Sequence, residues 1–235
     1  MASYDTVAAG LADVGLRARG GFHPLPEDRV PPLPDGRPAA TLILVGNVGP
    51  DMWRTFAAAP ENEDGGSDAL DRWTARILDD LAARWGAMAL YPFGGPPYRP
   101  FIAWAKRAEP VAESPLGILI HPDYGLWHAY RGALAFAAPI ALPARAARPR
   151  PCDTCTARPC LAACPVGAFR ATGYDVAACV NHLVNRAGVE CMEGGCLARR
   201  ACPVGRRHVY EGAQARFHMA AFLRARREQQ GRRGR

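Results

Sequence analysis

Apolar residues along this chain follow two rhythms. Thr41-Leu-Ile-Leu-Val45 is an unbroken apolar run ending at Gly46, and such a run predicts a buried strand. Pro50 then opens a short helix, DMWRTFAAA, which Pro60 closes. Glu61 to Gly66 is acidic and reads as a loop. Ser67 is placed to cap a longer helix, in which Leu70, Trp73, Ile77, Leu81 and Trp85 recur at helical spacing and Gly86 is the stop. Its aromatics read as core. In Tyr91 to Phe101, YPFGGPPYRPF, six of eleven residues are proline or glycine, which excludes regular structure and lets backbone approach a ligand. Leu116 to Ile120 and Leu126 to Phe136 read as the two strands of a hairpin turned at Pro122 and Gly125. Alternation sets Trp127, Ala129 and Arg131 on one face and His128 and Tyr130 on the other. Tyr210 to Arg227 spaces Tyr210, Ala213, Phe217 and Ala221 along one helix face, ahead of an arginine-rich end.

The periodicity breaks at Ala141 to Pro151, ALPARAARPRP, where proline and arginine replace any pattern. That break divides the chain into a mixed α+β region over 1–148, a cysteine module over 149–209 and a C-terminal helix with a basic tail over 210–235. A chain of 235 residues with 49% hydrophobic and 22% charged residues is neither disordered nor collagen-like. No apolar run is long enough to span a membrane. The start, MASYDTVAAGLADVG, carries acids and no basic segment ahead of an apolar one, so the expected location is the reducing cytoplasm. The formal charge of +7 is almost wholly arginine, Lys106 being the only lysine.

All eight cysteines lie between Cys152 and Cys202. In a reducing compartment such a cluster points to metal rather than to disulfides. The first half is Cys152-x-x-Cys155-x-x-x-x-Cys160-x-x-x-Cys164-Pro165, the bacterial two-cluster ferredoxin run with a longer middle spacer. The second is Cys179, then Cys191-x-x-x-x-Cys196-x-x-x-x-x-Cys202-Pro203. Eight thiolates supply two 4Fe–4S clusters with none left over. In such runs the cysteine before proline ligates the other cluster. The resulting sets are Cys152, Cys155, Cys160 and Cys202, and Cys164, Cys179, Cys191 and Cys196. The competing reading is a pair of zinc sites of four thiolates each. His182 and His208 are surplus to a complete thiolate set. Two oxidised clusters with their thiolates, at −2 each, take the charge to about +3. Arg199, Arg200, Arg206 and Arg207 flank the last ligands, where they either offset cluster charge, dock an acidic electron donor or are simply solvated. The six arginines from Arg224 to Arg235 read as a solvated helix end, with nucleic acid as the lesser alternative.

From Cys152 to Gly205 the chain resembles the dicluster portion of epoxyqueuosine reductase and of corrinoid reductive dehalogenases. The shared features are a first run closed by Cys-Pro, a lone cysteine (Cys179) and a second run closed by Cys-Pro. In those enzymes the clusters reduce a bound cobalamin. IHPDYGLWHAYRGAL, Ile120 to Leu134, resembles a hairpin of the cytosolic cobalamin-processing chaperones (the cblC family). Arg29-Val-Pro-Pro leading to LILVGNVGPDMWRTF is similar to that family's first strand and helix. The resemblance implies a nitroreductase-like (cblC-like) α+β sheet-and-helix domain, followed by the dicluster module and a C-terminal helix. By position it also implies that Gly117 and His121 belong to the corrin-side hairpin and that Arg131 matches an arginine that contacts glutathione in that family. If a cobalamin binds at the hairpin and the Gly/Pro loop, the expected cofactor-binding residues also include Gly125, with Arg131 orienting an anionic group and Tyr98, Tyr124 or Trp127 lining the apolar face. There are departures: no counterpart of the family's histidine precedes the hairpin, where Lys106 and Arg107 lie, and the cysteine module replaces the family's thiol-binding C-terminal region.

Taken together, these readings predict a cytoplasmic oxidoreductase of the cobalamin reductase or decyanase kind. Its two 4Fe–4S clusters pass single electrons to a bound cobalamin, and a flavodoxin or ferredoxin reductase type of donor feeds them. The alternatives are a ferredoxin-type electron carrier without corrinoid, an epoxyqueuosine-reductase-like enzyme acting on tRNA, and a zinc-binding interaction module.

Overall fold

A computed structural model describes residues 2–233, and the chain divides into two compact units. One comprises the chain up to Val111 together with His128–Arg148. The other comprises Ala112–Trp127 and everything from Pro149 onward. Both are mixed α and β with antiparallel pairing. Residues 112–127, placed in the front region by the apolar pattern, therefore pack with the cysteines.

The chain runs through α1 (Tyr4–Ala12), β1 (Arg17–Phe22), β2 (Thr41–Val48), α2 (Trp53–Ala57), α3 (Pro60–Glu63), α4 (Ala69–Trp85), β3 (Ala87–Leu90) and α5 (Phe101–Ala108). Two short strands, β4 (Ala112–Glu113) and β5 (Leu119–Ile120), precede the long β6 (His128–Phe136). The front sheet has the order β1-β2-β6-β3, every pair antiparallel. Strand β2 is bonded on both edges and buried throughout, which is why it reads as a continuous apolar run. Leu42, Ile43, Leu44 and Val45 are completely buried, each contributing about 1.5–3 kcal/mol by leaving water. The strand continues through Gly46 to Val48. Where Val45 faces Gly132 and Gly46 faces Tyr130, the ladder slips and Arg131 is the extra residue of a bulge.

Helix α4 buries Leu70, Trp73, Leu78 and Leu81, leaves Ile77 and Trp85 half-buried, and ends at Gly86 with φ +65°. Three local expectations are corrected. Pro60 opens α3 instead of beginning a loop, because Glu61 turns inward to Arg76. The residue ahead of α4 is Asp68, in a left-handed conformation, not Ser67. The hairpin does not form: β5 pairs with β4, while β6 pairs with β2 and β3. Both edges of β6 are occupied, so no edge is left for Leu116–Ile120. A tight turn, bridged between His121 and Gly125, separates the two strands instead.

A buried polar network lies in the front unit. Arg19 is 1% exposed and grips Glu109 through two bonds, Nε to Oε1 at 2.9 Å and Nη2 to Oε2 at 2.7 Å. Tyr130 donates to the same carboxylate at 2.6 Å, and the guanidinium also reaches the Asn47 carbonyl and the His128 ring.

The second unit is built from short pieces: α6 (Pro159–Ala162), β7 (Phe169–Arg170), β8 (Gly173–Tyr174), α7 (Val176–Leu183), α8 (Val189–Gly194), α9 (Leu197–Arg200) and the longer α10 (Gly212–Arg233), which packs against α7 and α8. Its main apolar cluster gathers Ala112, Leu116, Ile120 and Leu126 from the early segment with Ala198 and Cys202. No helix among the described residues is long and apolar enough to cross a membrane. The tail's last arginine, Arg235, lies outside the described residues.

Candidate metal centre

The eight thiols form no disulfide. They fall into two groups of four, and the groups are not contiguous in sequence. The Cys152 thiol is pushed up by burial, then by the neighbouring Cys202, Cys160 and Cys155 sulfurs and by Asp153. Cys160 and Cys202 are pushed up by burial and by members of the same group, with backbone N–H groups opposing. These four thiols line one small cavity with Pro115, Ile120 and Arg158. Burial also raises the Cys179 thiol, against the Tyr174 hydroxyl, with Cys164 and Cys191 adding to the rise. Burial raises Cys196 likewise; the Arg199 and Ala198 N–H groups oppose it, and Cys191 and Cys179 add to it. The Ala168 N–H points at Cys164 Sγ from 3.3 Å. Cys164 thus sides with cysteines that follow it by 15 residues or more, and Cys202 with the first run.

The chemistry of this donor set can be tested against metals. Among the described residues, no three or more His, Cys, Asp or Glu side chains converge on a point that could hold one ion. A tetrathiolate zinc site needs four sulfurs about 2.3 Å from a single centre. A cubane sets one thiolate at each of four corner irons, so its four sulfurs stand farther apart. Two groups of four thiols are the complement that two such centres need.

The residues expected to meet a corrin are divided between the units. Gly117 sits at φ +74° in the open turn between β4 and β5. His121, Tyr124, Gly125 and Trp127 are engaged inside the cysteine unit. His121 is 5% exposed, its Nδ1 accepts from the Asp123 and Tyr124 N–H groups, and its ring stacks on Tyr124 at 4.1 Å. Tyr124 meets His208 edge-on at 5.3 Å. At Gly125 (φ +58°) a Cβ would lie 2.0 Å from the Val204 carbonyl oxygen, and at Gly205 one would lie 2.3 Å from Tyr124 backbone. Only glycine permits the early turn to lie this close to the chain after Cys202. Trp127 is 2% exposed, and its indole N–H has no hydrogen-bond partner among the described residues. The Arg199 guanidinium lies between the faces of Trp127 and Tyr210, at 4.6 and 4.5 Å, and donates to the Leu126 carbonyl at 3.0 Å through Nε.

Arg131 and Tyr98 belong to the front unit. The bulge in β6 turns Arg131 onto Asp71 and Thr74 of α4, beside the Phe93 ring. Asp71, Phe93 and the exposed Tyr98 line one groove of about 430 Å³ with Asp68 and Arg72. Sequence reasoning missed Asp71, which carries no motif, and gave Tyr174 and Tyr210 no role at the cysteines. Arg199 was visible only as a charge near ligands.

No protein-family model matches the chain, and no curated protein matches its sequence. Two solved structures are similar to it in outline. One is epoxyqueuosine reductase with an epoxyqueuosine-modified tRNA-Tyr stem loop, 17% identical over 88% of this chain with a TM-score of 0.47; the chain spans 66% of that protein. The other is the B12-trafficking protein CblC of C. elegans, a homologue of human MMACHC, 14% identical over 93% of this chain and 95% of that one, with a TM-score of 0.48. Likeness of this degree assigns neither family nor activity, so function is read from the chain's own residues.

Proposed function

We propose that the chain is an iron–sulfur electron-transfer protein of the cobalamin reductase kind. One 4Fe–4S cluster is held by Cys152, Cys155, Cys160 and Cys202, the other by Cys164, Cys179, Cys191 and Cys196. The observation that carries the reading is the cavity that Cys202 shares with Cys152, Cys155 and Cys160, so that the cysteine closing the second run sits with the first. That is the exchange expected of a two-cluster ferredoxin run. Bound clusters of this type supply one-electron transfer. The chain's own part is to place the thiols and tune their surroundings. Ile120 and Pro115 keep water from one group, while the Ala168, Ala198 and Arg199 N–H groups aim at sulfurs of the other and stabilise negative charge there.

Cobalamin as the acceptor rests on the sequence resemblances at both ends of the chain. A second reading, a two-cluster carrier with no corrinoid, is favoured by the burial of His121 and Trp127 within their own unit. One anaerobic experiment separates the two. The protein is reconstituted with iron and sulfide, mixed with cobalamin and desalted, and iron, sulfide and corrinoid are measured per chain. About eight irons with a retained, spectrally shifted corrinoid supports the reductase. Eight irons with no corrinoid leaves the carrier, and zinc in place of iron overturns both.

A further inference from the structure

The formal charge is divided unevenly between the two units. Residues 112–127 and 149–235 carry fifteen arginines against eight carboxylates, whereas the remainder carries fourteen basic and fourteen acidic residues. The whole +7 therefore belongs to the cysteine unit.

Within that unit the arginines are not equivalent. Those near the Cys164 group are largely neutralised: Arg170 pairs with Asp175 at 3.2 Å, Arg200 with Glu190 at 3.1 Å and Arg216 with Glu193 at 2.6 Å. Arg186 lies apart, in the turn before α8. Around the Cys152 group, Arg150, Arg158, Arg206 and Arg207 are all exposed, and none has a carboxylate partner among the described residues. Arg158 itself lines the cavity of that group. Arg150 adjoins Pro151, and Arg206 follows two residues after Val204, both of which line it as well. Asp153 and Glu211 are the acids closest in sequence to this rim, so the four arginines outnumber them.

We propose that this arginine rim is the docking face for an acidic one-electron donor protein of the flavodoxin type, and that electrons enter through the cluster on Cys152, Cys155, Cys160 and Cys202. The inference rests on the two-cluster reading above. A face of exposed guanidinium groups that no carboxylate neutralises raises the encounter rate with an acidic partner, and salt screens the effect. Paired arginines such as Arg200 give little steering, because their field is cancelled locally. In the transfer itself, one electron leaves the reduced donor and one oxidised cluster gains it. No proton or group is transferred with it.

The test uses the reconstituted full-length chain and a reduced flavodoxin, mixed in stopped flow at low and high salt. The reversal variant Arg158→Glu/Arg206→Glu/Arg207→Glu is compared with a charge-matched control on the front unit, Arg29→Glu/Arg54→Glu/Arg84→Glu, three arginines that are likewise exposed. Iron is measured first, and dithionite reduction is recorded beside the donor reaction. The expected result is a second-order rate with the donor about tenfold or more lower in the rim variant at low salt. Its salt dependence should be flattened, while the control and the dithionite reaction match wild type. Should reversal impair iron uptake, the neutral Arg158→Gln/Arg206→Gln/Arg207→Gln variant carries the same expectation with a smaller drop. An unchanged donor rate, or an equal drop in the control, overturns the proposal. So does an RNA hairpin that loses affinity for the rim variant while the donor rate stays at wild type, since the face is then for nucleic acid. A chain that takes up no iron overturns the underlying reading instead, before any donor is added.

Discussion

The front sheet and the cysteine unit reach order by different physics. The front unit has a strand of complete burial, β2, flanked on both edges and covered by helices whose aromatics interlock, as Phe56 does with Trp73 at 5.8 Å. Hydrophobic burial dominates there, and the buried guanidinium of Arg19 is answered by Glu109, Tyr130 and the Asn47 carbonyl. The cysteine unit has small apolar clusters, and its helices ahead of α10 have four to eight residues. Cys191 and Cys202 are among its buried residues, and burial pushes up the thiols of Cys152, Cys160, Cys179, Cys196 and Cys202. On the two-cluster reading proposed above, this unit gains its folding energy from the groups it binds. The difference then teaches that one chain can hold a part that folds by itself and a part that folds around its cofactor.

Iron removal tests that contrast most severely. Chelation of the reduced, reconstituted protein should abolish amide protection in α7, α8 and α9 and leave β2 and β6 protected. Hydrogen exchange read by mass spectrometry reports both units at once. Equal loss in the two, or loss in neither, breaks the comparison.

The next effect lies in the front unit. Glu109→Gln leaves a guanidinium that is 1% exposed without its charge partner, and breaking a buried pair in this way costs about 3–5 kcal/mol. Urea unfolding followed through β-sheet circular dichroism should show that loss, while iron content stays at wild type. A drop in iron as large as the drop in stability would mean the two units are energetically one.

Smaller again is the clamp on the early segment. Arg199→Ala removes a guanidinium from between two ring faces and its bond to the Leu126 carbonyl. Cation–π contacts of about 0.5–2 kcal/mol and a hydrogen bond of about 1 kcal/mol are lost together. The cysteine unit should unfold at lower denaturant, by roughly 2 kcal/mol. Iron bound by the Cys152 group should exchange faster than iron bound by the Cys164 group. Arg199→Lys, which keeps the charge but not the planar stack, should recover little of it.

Parts of this architecture were legible in the sequence for stated reasons. Strand β2 and helix α4 announce themselves because burial imposes their patterns, and Gly86 ends α4 where only a left-handed residue fits. Strand β1 was not legible: Arg-Ala-Arg-Gly-Gly-Phe looks polar, and the partner that allows Arg19 to be buried is ninety residues away. The two Cys-Pro closures lead one to expect a crossed grouping of thiols, and Cys202 does share a cavity with Cys152, Cys155 and Cys160. The true neighbours of Ile120 and Gly125 do not, because nothing local to residues 112–127 signals a fit against Val204 and Gly205. The corrin-facing residues expected from resemblance are correspondingly divided, with Arg131 and Tyr98 beside one groove and His121 and Trp127 inside the other unit.

The mildest expected effect concerns pH and the front unit alone. Arg76 bonds the Glu61 carboxylate and holds it below its ordinary value of 4.5, against the opposing effect of burial. A carboxyl whose folded value is depressed contributes stability that is present above the unfolded value and lost as pH falls through the folded one. The Glu61 side chain is 10% exposed but that of Arg76 is 45%, so solvent screens the pair and its worth is at most about 1 kcal/mol. Glu61→Gln should therefore lower stability slightly at pH 7 and not at all at a pH below the folded value, so that the two stability curves converge on acidification. The acid limb belongs to residues of the front unit, and iron content should follow neither the substitution nor its convergence. Curves that stay parallel from neutral to acid pH would show that α3 is held by packing at Pro60 rather than by the ion pair.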